Sequence, residues 1–238
     1  MDMSDLDNPA QLSAELSQLF PPGAVVAEMS GPVGRSLLTP AEMQFIAHCA
    51  GKRIADFAVG RACAHRALRE LGIAGFSLLS GQQREPLWPQ SIVGSITHTT
   101  GYAAAVVARQ ADLRALGIDC EIIHSVDEDL WSRICTTTEL ERLASLPAEE
   151  RIRRAALTFA AKEAFYKCQF PLTRAWVGFE DVDIEPARWP ASAGAFRIVP
   201  RIPLPLEDTT VAGLNCRYLF RETRVLAAVA ALQLTMPR

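Results

Sequence analysis

The sequence predicts an α+β fold made of two similar halves, and three observations carry that expectation. A long helical pattern occurs once in each half, at 52–71 and at 148–168. Short extended runs rich in alanine and valine follow each helix. The halves also echo each other in order. Phe57-Ala58-Val59-Gly60-Arg61-Ala62 lines up with Phe159-Ala160-Ala161-Lys162-Glu163-Ala164, and Tyr102-Ala103-Ala104-Ala105-Val106-Val107 with Val225-Leu226-Ala227-Ala228-Val229-Ala230. A duplicated unit of this kind divides the chain into 1–116 and 117–238, with a site in the cleft between them.

Residues 1–50 are irregular, broken by Pro21-Pro22-Gly23 and Gly31-Pro32. Leu12, Leu16 and Leu19 share one face of a short opening helix. At 39–49 a second helix starts with Thr39 as N-cap, Pro40 in the first turn and Glu42 as capping-box partner. In 52–71, Ile54, Phe57, Ala58, Ala64, Leu68 and Leu71 recur mostly at threes and fours, and Gly72 supplies the stop. After a loop rich in Gly, Pro and Gln, extended runs at 92–97 and 102–107 are joined by a polar turn at Thr99-Thr100-Gly101, and 116–123 reads as a third strand. Helical pieces follow at 127–134 and 138–146, the latter with Thr138 and Glu141 as a capping box. The helix over 148–168 carries Ile152, Ala155, Ala156, Phe159 and Tyr166 on its apolar side. Strands at 179–184 and 195–199 precede a hairpin of 214–220 and 225–232, turning at 221–223.

Bulk properties exclude several function classes. The chain has 238 residues, 49% hydrophobic, enough for a sizeable core. With 24 basic against 27 acidic side chains, no electrostatic footprint for nucleic acid or an anionic membrane is present. The N-terminus is acidic (Asp2, Asp5, Asp7) and lacks a basic-then-apolar leader, and no apolar run of about 18 residues forms a membrane span. The six cysteines are scattered without a C-x-x-C pair, which predicts reduced thiols, no zinc and a cytoplasmic location.

Four stretches carry chemistry. In Gly117-Ile118-Asp119-Cys120-Glu121 a strand projects Asp119 and Glu121 to one face. Two such carboxylates either face water from an edge strand or hold a hard divalent cation, for which oxygen-only ligands favour Mg²⁺. In Phe159-Ala-Ala-Lys162-Glu163-Ala-Phe-Tyr166-Lys167, Glu163 and Lys167 stand one helical turn apart with Lys162 beside them, charges set in an otherwise apolar helix. The third stretch is Arg84-Glu85-Pro86-Leu87-Trp88-Pro89 with Gly94-Ser95-Ile96-Thr97-His98-Thr99, a strand ending in hydroxyls and a histidine. His98 there is a phosphate donor, a base or a turn cap. The fourth is the basic helix, where Arg53 and Arg61 lie about two turns apart and His65 and Arg66 follow after Lys52. Such arginines grip a phosphate or form a solvated face. No Gly-rich nucleotide loop of the Rossmann or P-loop kind is present.

Taken in order, basic helix, R-x-P-x-W-P, S-x-T-H-T, G-I-D-x-E and F-x-x-K-E-x-x-x-K, the sequence resembles the 4′-phosphopantetheinyl transferase superfamily. The resemblance is to its larger single-chain type and the enterobactin synthase component D branch, and by motif it covers 52–167. It implies a 4′-phosphopantetheinyl transferase-like fold, a pseudo-twofold pair of α+β subdomains with the active site at their interface. It also implies transfer of the phosphopantetheine arm of coenzyme A to a serine of an apo acyl, peptidyl or aryl carrier protein. The setting would be siderophore, nonribosomal peptide, polyketide or fatty-acid synthesis, and the chain a monomer. By the same resemblance, Asp119, Glu121 and Glu163 hold Mg²⁺, Glu163 is the base for the carrier serine, and Lys167 stabilises the pyrophosphate with Lys162 as helper. His98, with Thr97 beside it, contacts a coenzyme A phosphate. Arg53 and Arg61 stand near the adenosine 3′-phosphate, and Arg84, Glu85 and Pro86 form the adenine-side loop. Many relatives carry Gly-Lys-Pro there, whereas here the positive charge comes one residue earlier. Arg133, Arg142 and the Arg151 to Arg154 cluster are candidates for docking an acidic carrier helix. A pyrophosphate hydrolase using the same carboxylates and a non-catalytic carrier-binding protein are the alternatives.

Overall fold

The computed structural model describes residues 11–31 and 37–233, with the side chain of Lys52 outside the described set. Asp2, Asp5, Asp7 and Pro32 likewise lie outside it. In chain order the elements are β1 (Gln11–Leu12), α1 (Ala14–Ser17), β2 (Val25–Ser30), α2 (Pro40–Phe45), α3 (Gly51–Glu70), β3 (Ile92–Thr99), β4 (Tyr102–Arg109), β5 (Leu113–Ile122), α4 (Glu128–Ile134), α5 (Thr137–Ala144), α6 (Ala148–Thr173), β6 (Val182–Pro186), β7 (Ala193–Pro200), α7 (Asp208–Ala212), β8 (Asn215–Arg221) and β9 (Arg224–Leu232). The strands form two antiparallel sheets, ordered β1-β2-β4-β3 and β5-β9-β8-β7-β6.

Side-chain alternation on the central strands explains the layering. On β4, Ala103, Ala105 and Val107 face α3, packing with Cys63, Ala67 and Leu68. Tyr102, Ala104 and Val106, on the opposite face, meet Ile118 and Cys120 of β5 and Leu226, Ala228 and Ala230 of β9. The alternate residues of β9, Val225, Ala227 and Val229, pack on Ala156, Ala160, Ala164 and Phe165 of α6. The order of layers is therefore helix, sheet, sheet, helix, with the two sheets face to face. Both β4 and β9 are buried on both sides, which is why they read as unbroken runs of small apolar residues. The echoed segments fall on these equivalent places: the outer helices α3 and α6, and the internal strands β4 and β9.

Thr39 caps α2 with its hydroxyl on the Glu42 N–H, and Glu42 returns a bond to the Thr39 N–H at 2.8 Å. The second capping box is built two residues earlier than the sequence predicts. Thr136 and Glu139 form it rather than Thr138 and Glu141, because Glu139 is also the buried partner of Lys162. Leu16 and Leu19 are buried, but Leu12 sits exposed in β1 and not on a helix face. The 179–184 strand begins at Val182, after a 3₁₀ turn. α6 runs to Thr173, past the predicted end at Cys168, and through Pro171 in its last turn. It is closed by Arg174 in a left-handed conformation, φ 57°, whose N–H donates to the Phe170 carbonyl. β5 begins at Leu113, so residues 113–116 belong to the second sheet. All six cysteines are free thiols, and among the described residues no helix is long and apolar enough to cross a membrane.

Candidate active site

β5 is pressed against α6 by the absence of a side chain at Gly117. A Cβ placed there would stand 1.8 Å from the Ala164 carbonyl oxygen, so only glycine permits this approach. The contact sets the strand carrying Asp119 and Glu121 directly beside the helical turn carrying Glu163 and Lys167. Lys167 Nζ donates to Asp119 Oδ1 at 2.6 Å and to the Ile118 carbonyl at 3.3 Å. Thr97 Oγ1 donates to the same Asp119 oxygen at 3.1 Å.

The electrostatics of this cluster follow from its crowding. Burial, and then the neighbouring charge of Asp119, push the Glu121 carboxyl up to about 8 against the pull of Lys167. Glu163 is raised by burial, with Lys167 opposing and Asp119 adding to the rise. Burial alone would lower Lys167, but Asp119, followed by Glu163 and Glu121, outweighs it and holds the ammonium above its ordinary range. Asp119 Oδ2 is buried and receives no hydrogen bond. Among the described residues, no three His, Cys, Asp or Glu side chains already form a ready metal cage. The donor set nevertheless fits a hard divalent cation: three carboxylates with a surplus of negative charge and one buried oxygen without a donor.

The cluster opens onto a cleft of about 330 Å³ lined by Arg61, Arg84, Glu85, Pro86, His98, Glu163 and Lys167. These residues come from α3, the loop between α3 and β3, the end of β3, and α6. The loop is a tight reversal in which Gly81 N–H donates to the Glu85 carbonyl and Leu87 N–H to the Leu79 carbonyl, with Arg84 in a left-handed conformation at φ 66°. Glu85 accepts from Arg174 Nη1 at 2.9 Å, an ion pair spanning the cleft from the loop to the end of α6. Gly94 lets the Trp88 indole lie against β3, since a Cβ there would meet the ring at 2.7 Å.

Several predicted residues do other work. Arg53 is exposed on α3 and is not among the cleft-lining residues. Arg61 reaches the cleft but is buried, and its guanidinium donates to the Leu78 and Leu79 carbonyls and to Ser80 Oγ while lying 4.1 Å over the Phe57 ring. Burial draws it down to about 10, with Glu42 opposing. It therefore anchors the loop. His65 pairs with Glu42 at 2.9 Å and Arg66 with Glu70 at 3.3 Å, so the basic helix is not one phosphate-binding face. Thr97 is 2% exposed and absent from the cleft lining, its hydroxyl engaged by Asp119 and the Cys120 N–H. Lys162 points away from Glu163. It is 2% exposed and donates to Glu139 Oε2 and the Phe179 carbonyl, both at 2.6 Å, and to the Ile134 carbonyl at 2.9 Å. A helper at a phosphate is excluded by those three acceptors. In the arginine cluster, Arg154 is buried on the Ile184 carbonyl, Arg151 donates to the Leu146 carbonyl, and Arg153 lies over the Phe220 ring.

The residues missed from sequence share a signal. Tyr166, Phe170 and Arg174 line the cleft and lie three, seven and eleven residues beyond Glu163, on the helix face that carries Lys167. Tyr166 stacks on Phe170 at 5.6 Å and meets the exposed Trp176 at 5.2 Å.

Residues 41–108 match the 4′-phosphopantetheinyl transferase N-terminal domain, and residues 115–210 match the 4′-phosphopantetheinyl transferase superfamily. The 4′-phosphopantetheinyl transferase Npt of Nocardia iowensis is 33% identical over 221 residues, covering 90% of this chain and 99% of the relative. The chain belongs to the 4′-phosphopantetheinyl transferase superfamily. Two further superfamily members are similar to it over shorter spans. The 4′-phosphopantetheinyl transferase PptT of Mycobacterium tuberculosis is 41% identical over 65% of this chain and 67% of its own length. Enterobactin synthase component D of Escherichia coli is 38% identical over 58% of this chain and 64% of its own length. The two matched regions of this transferase-superfamily chain meet at the turn between β4 and β5.

Proposed function

We propose that this chain transfers the 4′-phosphopantetheine group of coenzyme A to a serine hydroxyl of an apo carrier protein, releasing 3′,5′-ADP. The reaction depends on Mg²⁺ held by Asp119, Glu121 and Glu163. The observation that carries the proposal is the convergence of Asp119 and Glu121 of β5 on Glu163 and Lys167 of α6, the latter two lining a cleft that also presents His98 and Arg84. When bound, Mg²⁺ neutralises pyrophosphate charge and polarises the phosphorus under attack. Lys167, anchored by Asp119 and the Ile118 carbonyl, is a fixed positive charge beside the same phosphates as they gain charge in the transition state. His98, exposed at the end of β3, and the Arg84 guanidinium contact the coenzyme A phosphates. Glu163, whose carboxyl is raised by burial, takes the serine proton directly or through a water. Pro86 and Trp88 offer an apolar edge for the adenine.

The two halves, parted at the turn between β4 and β5 rather than at 116/117, then divide the labour, the first holding the adenosine side and the second the metal and the base. A single chain carrying both halves acts as a monomer. Likeness to enterobactin synthase component D favours a carrier of siderophore or other nonribosomal synthesis. Arg133, exposed at the end of α4, and Arg142, exposed but paired with Glu185, are the arginines of the docking set facing solvent.

The test is incubation of the chain with coenzyme A, Mg²⁺ and a panel of apo acyl, peptidyl and aryl carriers, read by intact mass. Transfer adds a phosphopantetheine mass to the carrier in step with 3′,5′-ADP release, and Asp119→Ala abolishes it while leaving the circular dichroism spectrum unchanged. Coenzyme A cleavage without carrier modification would make the chain a hydrolase, binding without either product would make it a carrier-binding protein, and a fully active Asp119→Ala would remove the metal assignment.

A further inference from the structure

β3 and β5 are the edge strands of their respective sheets, and they meet without backbone pairing. Buried edges ordinarily leave N–H groups unsatisfied, at a cost of about 1–3 kcal/mol each. Here two side chains of β3 take the place of a neighbouring strand. Ser95 Oγ accepts from the Ile118 N–H at 3.1 Å, and Thr97 Oγ1 accepts from the Cys120 N–H at 3.0 Å. The hydroxyls are two residues apart and so are the amides, so the period of both strands keeps the two bonds in register. Ser95 is 3%, Thr97 2% and Asp119 5% exposed, so water does not compete for these bonds.

The two hydroxyls differ in what they do with their proton. Because Thr97 Oγ1 accepts from Cys120, its own proton is directed to Asp119 Oδ1. That oxygen also receives Lys167 Nζ. Two donors on one oxygen fix the rotation of the carboxylate and leave Oδ2 as the oxygen without a donor. We infer that Thr97 is a positioning residue that orients Asp119 for a divalent cation, and that through it the strand bearing His98 sets the geometry of the strand bearing the acidic pair. The inference rests on the proposed cation role of Asp119 and assigns Thr97 a role different from the direct phosphate contact implied by its place beside His98.

The test compares Thr97→Val, which keeps the volume and removes the hydroxyl, with Thr97→Ser, which keeps the hydroxyl, and Ser95→Ala, which removes an amide partner but leaves Asp119 held. Mg²⁺ is titrated calorimetrically into the coenzyme A-free chain, and transfer is measured against Mg²⁺ and against coenzyme A. Loss of a group that orients a metal ligand weakens affinity about 10–100-fold. Thr97→Val is therefore expected to raise the Mg²⁺ dissociation constant by at least tenfold and to leave the coenzyme A KM within twofold of wild type. Thr97→Ser should restore Mg²⁺ affinity, and Ser95→Ala should lower stability with Mg²⁺ affinity unchanged. Should Thr97→Val fail to fold, Thr97→Cys, with a weaker donor of similar size, is expected to show a smaller shift in the same direction. Unchanged Mg²⁺ affinity in the valine or cysteine variant, or a raised coenzyme A KM in its place, overturns the inference. A wild-type chain that neither binds Mg²⁺ nor needs it for transfer overturns the cation reading itself, a result distinguishable because it appears before any substitution is made.

Discussion

Replacing Gly117 with alanine tests the close approach on which the whole site depends. The added Cβ would fall 1.8 Å from the Ala164 carbonyl oxygen and 2.9 Å from both the Ala164 carbonyl carbon and the Cys168 nitrogen. The first distance is about 1.5 Å inside ordinary van der Waals contact. All three atoms are backbone, so no side chain can rotate away, and α6 must retreat from β5 by on the order of 1 Å. Overpacking of this kind costs about 3 kcal/mol, the upper end of the usual range, which lowers the melting temperature of a chain this size by about 6–12 °C. Ala164 and Cys168 each follow a functional residue, Glu163 and Lys167, so the retreat also carries both away from Asp119. A displacement of about 1 Å at a reacting centre costs on the order of 100-fold in turnover. Gly51→Ala is the control: nothing lies within 4 Å of its Cβ, and it gains helix propensity in the first turn of α3. Urea denaturation followed by circular dichroism, with phosphopantetheine transfer measured on the same preparations, gives both readouts. A Gly117→Ala chain with wild-type melting temperature and turnover would refute the argument that this contact builds the site.

Three further outcomes are expected. Lys167→Ala should depress turnover by about 100-fold or more while carrier binding, measured by calorimetry, changes little; the reverse pattern would deny Lys167 its role at the pyrophosphate. Lys162→Met should cost about 3–5 kcal/mol by stranding buried Glu139, with the turnover of the folded fraction preserved. A loss of turnover at unchanged melting temperature would instead return Lys162 to the site. For Glu121, whose folded value of about 8 lies above the ordinary carboxylate value of 4.5, the native state binds the extra proton between those limits. Stability of the metal-free chain should therefore fall as pH rises from about 4.5 to about 8, and Glu121→Gln should reduce that slope, leaving the part due to the likewise raised Glu163, in denaturation midpoints measured in EDTA. Over the same interval, apparent Mg²⁺ affinity should rise by up to tenfold per pH unit as the proton is displaced.

Features that depend on near neighbours along the chain were legible in the amino-acid order. Strand alternation places Asp119 and Glu121 on one side, helical spacing joins Glu163 to Lys167, the Thr39–Glu42 cap starts α2, and the doubled α+β pattern survives as two outer helices on two facing sheets. These are periodicities of 2 and 3.6, written in local order. Where each polar group finds its partner depends instead on contacts between elements distant in the chain. Lys162 and Lys167 look alike in sequence, yet one is buried against Glu139 and the other meets Asp119, because α6 is covered on one side by α5 and the turn at Phe179 and on the other by β5. Arg61 reads as a phosphate ligand until the carbonyls of Leu78 and Leu79 close around it. Thr97 reads as a neighbour of His98 until β5 arrives with an unpaired amide and a carboxylate. A buried polar atom must be satisfied by whatever the fold brings near it, and that partner can lie anywhere in the chain.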